Sequence, residues 1–204
     1  MADGTRQRIL DAALGILRAQ GAEQLTVEAA ADLAGVSRKT VYNHFGSRYE
    51  LIDEAAAQWM TATIGALETL AFDENLGFIE RLNSIVERGF AEMRAAGMLI
   101  REQRVQGAAF AQSPNKRNLR LQLREFLQTI VAQAMESGLV RQDFDLRRLT
   151  WVFINLVEGL LMNDDLDDEP FARYDILRDS LRAVLSGILT PDGTDALKDS
   201  PIFR

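Results

Sequence analysis

The chain contains no cysteine, which excludes a disulfide framework and any thiolate-held metal. Its one histidine, His44, lacks the partners a metal site needs, so no metal is expected. Only 4 prolines interrupt 204 residues rich in alanine, leucine and arginine, a mixture that favours helices through propensity alone. No apolar run approaches the ~20 residues of a membrane span. The opening residues lack the charged, apolar and small succession of a secretory signal. A soluble, cytoplasmic chain without membrane association is expected. Catalytic constellations are missing too: there is no nucleophile motif, Gly-rich phosphate loop or repeated Glu-x-x-His pair. No catalytic residue and no cofactor is therefore assigned.

What is present suffices for a sizeable core: hydrophobic residues make up 47% of the chain. The length fits one large domain or two small ones. A net charge of −7 argues at first against a polyanionic partner. Its distribution reverses that argument. Within residues 1–50, Arg6, Arg8, Arg18, Arg38, Lys39 and Arg48 balance Asp3, Asp11, Glu23, Glu28, Asp32 and Glu50, so the excess of acid belongs to the remainder.

Periodicity predicts helices throughout. Thr5 to Gln20 carries Ile9, Ala13 and Leu17 on one stripe and stops at Gly21. Thr26 is placed to cap a short second helix that Gly35 ends, and Ser37 to cap a third running to about His44. Arg48 opens a longer helix to about Leu70. Further helices are expected from about Asn75 to Ala95, where Gly97 separates a less periodic stretch, and after Ser113–Pro114, a start signal. Two more follow, Leu146 to about Met162 and about Phe171 to Leu189, with Thr190–Arg204 read as a loose tail. Between those two lies the acidic loop Asp164–Glu169. Its carboxylates lack EF-hand spacing, so a solvated connector is expected.

The stretch around Ala30 to His44 has the logic of a helix-turn-helix. Ala31 and Ala34 let two helices cross closely, and Gly35 permits the left-handed backbone of a tight turn. Val36, Val41 and Phe45 are placed to fill a small three-helix core. Arg38-Lys39-Thr40-Val41-Tyr42-Asn43-His44 combines bases, a hydroxyl, a phenol and an amide, groups suited to phosphates and major-groove base edges.

The pattern Thr26-Val27, Ala31-x-x-Ala34-Gly35-Val36-Ser37-x-x-Thr40-x-Tyr42-x-His44-Phe45, x-x-Arg48-x-x-Leu51 resembles the DNA-binding domain of the TetR family of regulators, over about Arg6 to Leu51. Two positions depart from it. Ala30 stands where the family usually has a larger aliphatic residue, and Arg48 where lysine is commoner. The resemblance implies that Thr26, Ser37, Tyr42, His44 and Arg48 contact phosphates, while Arg38, Lys39, Thr40 and Asn43 face the major groove. The Arg38 fork suits guanine O6 and N7; Lys39 could instead grip phosphate.

The expected architecture is all-α: a three-helix helix-turn-helix domain over residues 1–47, a helical effector-binding and dimerisation bundle over 48–190, and a tail over 191–204. By resemblance the chain is a ligand-responsive repressor, or less usually an activator, that reads double-stranded DNA as a homodimer at a palindromic operator. The helix Leu146–Met162 is apolar nearly all round, so more than one face must be covered. Packing the last two helices against their symmetry mates would do so, holding recognition helices about 34–36 Å or a multiple apart. An unknown small-molecule effector is expected among Trp59, Met60, Phe90, Met93, Met98, Phe110 and Phe126, large residues that serve equally as core. Asn155 and Glu158 are polar interruptions suited to a ligand or to the dimer. The alternatives are a helical adaptor that has lost DNA binding and an all-helical enzyme.

Overall fold

The computed structural model describes residues 2–104, 114–163 and 165–204, and the regular structure in them is helical. The only pairing of extended backbone among the described residues is an antiparallel bridge between Val140 and Leu189. The helices are α1 (Ala2–Gln20), α2 (Val27–Ala34), α3 (Arg38–Phe45), α4 (Arg48–Ala71), α5 (Phe78–Arg104), α6 (Pro114–Glu136), α7 (Leu146–Met162), α8 (Arg173–Ile188) and α9 (Pro191–Leu197). None of the described helices is long and apolar enough to cross a membrane. The chain divides into two units, Met1–Ala62 with Ala95–Leu119, and Thr63–Arg94 with Arg120–Arg204.

The first unit is built on α1, whose periodic stripe Ile9, Ala13, Ile16 and Leu17 is buried as the spacing predicts. Val27, Ala30 and Ala31 of α2, Val41 and Phe45 of α3, and Leu51, Ile52, Ala55 and Trp59 of α4 complete one core. Ala30, the departure from the family pattern, is fully buried there. Arg6 reaches from α1 to ion-pair with Glu54 and places its guanidinium 5.0 Å from the centre of the Phe45 ring. Arg18 lies 5.4 Å over the Trp59 ring. Cations thus lie over the rings of core aromatic residues, an arrangement that is attractive and leaves the charge in water.

In the second unit Val131 and Ala134 of α6 pack with Leu149 and Phe153 of α7 and Ile188 of α8. A second cluster joins Phe90, Leu160, Leu177 and Ile202, with the Phe90 and Tyr174 rings edge-on at 5.0 Å. Two expectations are corrected here. Gly97 does not separate two segments, because α5 runs uninterrupted for 27 residues, Phe78–Arg104. A glycine within a helix costs only about 1 kcal/mol relative to alanine, and continuing hydrogen bonds outweigh it.

Nor is the segment after Thr190 loose. Thr190 caps α9, its Oγ1 accepting from Gly193 N at 3.0 Å and donating to Gly138 O at 2.8 Å. Gly193 sits so close to the preceding loop that a Cβ there would come 2.2 Å from Leu139 O. Beyond α9, Ile202 is 2% exposed. The acidic connector contains a short 3-10 turn, Asp165–Asp167, with Asp168 and Glu169 exposed. Arg173 closes it by donating to Leu160 O and to Asn163 O.

Candidate nucleic-acid interface

Both short helices of the first unit begin on a side-chain cap. Thr26 has extended backbone and its Oγ1 accepts from Ala29 N at 3.0 Å. Ser37 likewise accepts at Oγ from Thr40 N at 3.1 Å, and its hydroxyl lies 2.8 Å from that of Thr40. These caps satisfy one orphan donor each, and the remaining first-turn N–H groups give each helix start a partial positive charge. Such an end is a ready anion site.

The turn between α2 and α3 closes as the glycine predicts. Gly35 adopts φ 67°, ψ 41°, its N–H donates to Asp32 O at 3.2 Å, and Val36 N donates to Ala31 O at 2.9 Å. This pair of bonds is the Schellman termination, which needs a left-handed residue at that position. A Cβ on Gly35 would meet nothing within 4 Å, so conformation rather than space requires glycine.

Helix α3 turns Val41 and Phe45 into the core and leaves Arg38, Lys39, Tyr42 and Asn43 exposed. Tyr42 is 50% exposed, with its side chain on the same face as the Arg38, Lys39 and Asn43 side chains. Thr40 and His44 are half-buried at the margin of this face. The His44 ring lies 6.3 Å from that of Phe45.

Arg48 is half-buried, and its Nε donates to Leu25 O at 2.6 Å, tying the start of α4 to the segment before α2. The residue therefore has a structural bond whatever else it touches. The sequence reading also passed over Glu28, counting it only as one acid among several. In the fold it pairs with Arg38, Oε1 to Nη1, at 2.9 Å. A carboxylate two residues after a helix cap, on a helix crossing the recognition helix, is the signal that could have raised it.

The residues expected to hold an effector fall in both units. Trp59 belongs to the core of the first unit, and Met60 is half-buried on α4. Phe90 and Phe126 are buried in the second unit. Glu158 receives Arg120 in a two-pronged pair, Nε to Oε1 at 2.5 Å and Nη2 to Oε2 at 2.7 Å. Asn155 is exposed on α7. The side chains of Met93 and Met98, and Phe110 altogether, lie outside the described residues.

Two capped helices joined by a left-handed glycine, the second presenting cations, an amide and a phenol, define a helix-turn-helix DNA-binding protein. Residues 9–55 match the family described as bacterial regulatory proteins, tetR family. The chain is 25% identical to the HTH-type transcriptional regulator UidR of Escherichia coli K12, over 93% of this chain and 95% of that one. Its fold is similar to that of SmeT, the repressor of the Stenotrophomonas maltophilia multidrug efflux pump SmeDEF, with TM-score 0.65, 18% identity and 91% of each chain covered. It is also similar to FadR of Bacillus subtilis, solved with stearoyl-CoA, with TM-score 0.62, 19% identity, and 89% and 98% of the two chains covered. Residues 9–55 are thus similar to the DNA-binding segment of TetR-type transcriptional regulators, and the similarity to UidR runs along most of the chain.

Proposed function

We propose that the protein is a cytoplasmic, ligand-responsive repressor that reads a palindromic operator as a homodimer, and that it is not an enzyme. The observation that carries the reading is the exposed face of α3, where Arg38, Lys39, Tyr42 and Asn43 stand together beside the caps of two helices. Residues 1–47 then act as the DNA reader and 48–190 as the effector-binding and dimerising body. Thr26, Ser37, Tyr42 and His44 take phosphates, while Arg38, Thr40 and Asn43 take base edges. Lys39 serves either. Arg48 contributes charge from a position already fixed by Leu25.

Dimerisation through α7 and α8 is supported by what those helices leave uncovered. Trp151 and Val152 are 47% and 45% exposed, and Asn155 and Gly159 continue the same helical face. On α8 the exposed Ala183, Ser186 and Gly187 are small enough for close helix approach. Asn155 goes with this interface. Phe90 and Phe126 belong to the effector-binding unit, and the ligands in the structures of FadR with stearoyl-CoA and of SmeT with triclosan favour a largely apolar effector. Effector binding must differ in affinity between DNA-competent and incompetent states to relieve repression.

Selection of bound fragments from random DNA tests this reading. Enrichment of an inverted repeat, with affinity falling steeply as salt rises, is expected. A single unpaired half-site, or affinity insensitive to salt, would overturn it.

A further inference from the structure

The contact that the DNA-reading role leaves unexplained is Glu28 on Arg38. Both side chains are open to water, 49% and 68% exposed, so the pair adds little to folding. A carboxylate beside a surface committed to phosphates also weakens binding, since it offsets one cation. Glu28 suits the first turn of α2 electrostatically, but that alone does not require a partner on α3. Arginine, however, loses much rotamer freedom when it docks on a base. A side chain already held in place loses less.

We infer that Glu28 is a positioning residue for sequence reading: its carboxylate holds the Arg38 guanidinium, sharpening base preference at the cost of affinity for DNA of any sequence. The inference rests on the reading of α3 as the base-contacting helix. The geometry leaves the necessary donors available. Guanidinium has five N–H groups, and Glu28 meets it at Nη1, so Nη2 and Nε remain to present a fork to guanine O6 and N7. Ser37 caps α3 immediately before Arg38, and Thr26 caps α2 two residues before Glu28, so both backbones are anchored where the side chains leave them. As DNA excludes water from the pair, its attraction strengthens. Without Glu28, Arg38 is released to the nearest phosphate, which carries no sequence information.

The test compares Glu28→Gln, Glu28→Asp, Arg38→Ala and the double variant Glu28→Gln/Arg38→Ala with the parent. It reads base preference by selection from random DNA, salt dependence on a fixed nonspecific duplex, and thermal unfolding. Glu28→Gln is expected to lose about fivefold or more in preference at the one position of each half-site where Arg38→Ala also loses it. It should bind nonspecific DNA as well as the parent or better, with a salt slope steeper by up to about one ion per protomer. Glu28→Asp keeps the charge but withdraws it by one methylene, so it should lose preference without gaining nonspecific affinity. The double variant should match Arg38→Ala in preference, because Glu28 acts through that residue. Unfolding should shift only slightly, by the helix-end contribution of Glu28 in its Gln variants. Glu28→Asp, which keeps that charge, should unfold like the parent while losing preference, a combination a merely structural role would not give.

If Glu28→Gln leaves preference intact while Arg38→Ala alters it, the inference fails and the DNA-reading role stands. If the two losses add, Glu28 contacts a base itself and the inference is overturned. If Arg38→Ala changes nothing while the parent still enriches a palindrome, both the assignment of Arg38 and the inference fall. If the parent enriches no palindrome, the reading beneath them falls too.

Discussion

The first unit and the helical bundle differ in how the apolar surface they leave open is arranged. In the first, Ile9, Leu17, Val41, Phe45 and Leu51 are sealed within one short span of chain, while Leu33, Tyr42 and Tyr49 stay exposed singly among polar and charged neighbours. In the second, Trp151, Val152 and Phe171 remain open after α5 to α9 have packed. Trp151 and Val152 share a face of α7, and adjoining exposed apolar side chains of this kind are costly unless something covers them. The first unit closes its core by its own contacts; in the proposed homodimer, a second copy covers the open face of the second.

The contrast can be broken most forcefully at Phe45. Replacing it with alanine removes a large side chain that is 1% exposed and takes the ring from under Arg6. A loss of about 3–5 kcal/mol is expected. Hydrogen exchange should show protection collapsing first over residues 9–59. Equal loss across residues 126–190 would mean that the first unit is not self-sufficient.

The next largest effect is expected at Trp151. An aromatic anchor at the middle of an interface typically contributes about 2–4 kcal/mol. Trp151→Ala should therefore weaken dimerisation by about 30- to 1000-fold in sedimentation, with little change in the fold of the protomer. Were the mass in solution unaltered at low concentration, α7 would have to be covered by something else.

Gly193 probes the bundle's other closure. Valine there would place its Cβ 2.2 Å from Leu139 O, where backbone rather than a pliable side chain blocks it. Overpacking of this kind costs about 1–3 kcal/mol, so Gly193→Val should lower the denaturation midpoint and free the residues after α9 to exchange. Undiminished stability would return the segment to the status of a tail.

That segment also marks where sequence reasoning stops. Gly21, Gly35, Thr26 and Ser37 act on neighbours within a few residues, so the helix-turn-helix could be read off the chain nearly to the residue. Gly193 owes its requirement to Leu139, and Ile202 its burial to Phe90 and Leu177, partners that no local pattern announces. Gly97 misled for the converse reason, since a local breaker inside α5 is overridden by the helix around it. At the candidate site, the cation face of α3 follows from helical spacing. The Glu28–Arg38 pair joins two helices across the turn, and only folding reveals it.

The smallest effect sharpens the comparison most finely, because it separates folding from reading within one residue. Thr26 caps α2 through its hydroxyl and stands where phosphate is expected. Thr26→Ala should cost about 1 kcal/mol of stability. Thr26→Ser retains the capping oxygen and should restore most of that stability. If the hydroxyl also meets phosphate, Ser restores DNA affinity as well, whereas Ala weakens specific and nonspecific binding by a similar factor. Should Ala lower stability yet leave both affinities intact once folding is accounted for, Thr26 belongs wholly to the self-contained core, and the phosphate contacts begin at Ser37.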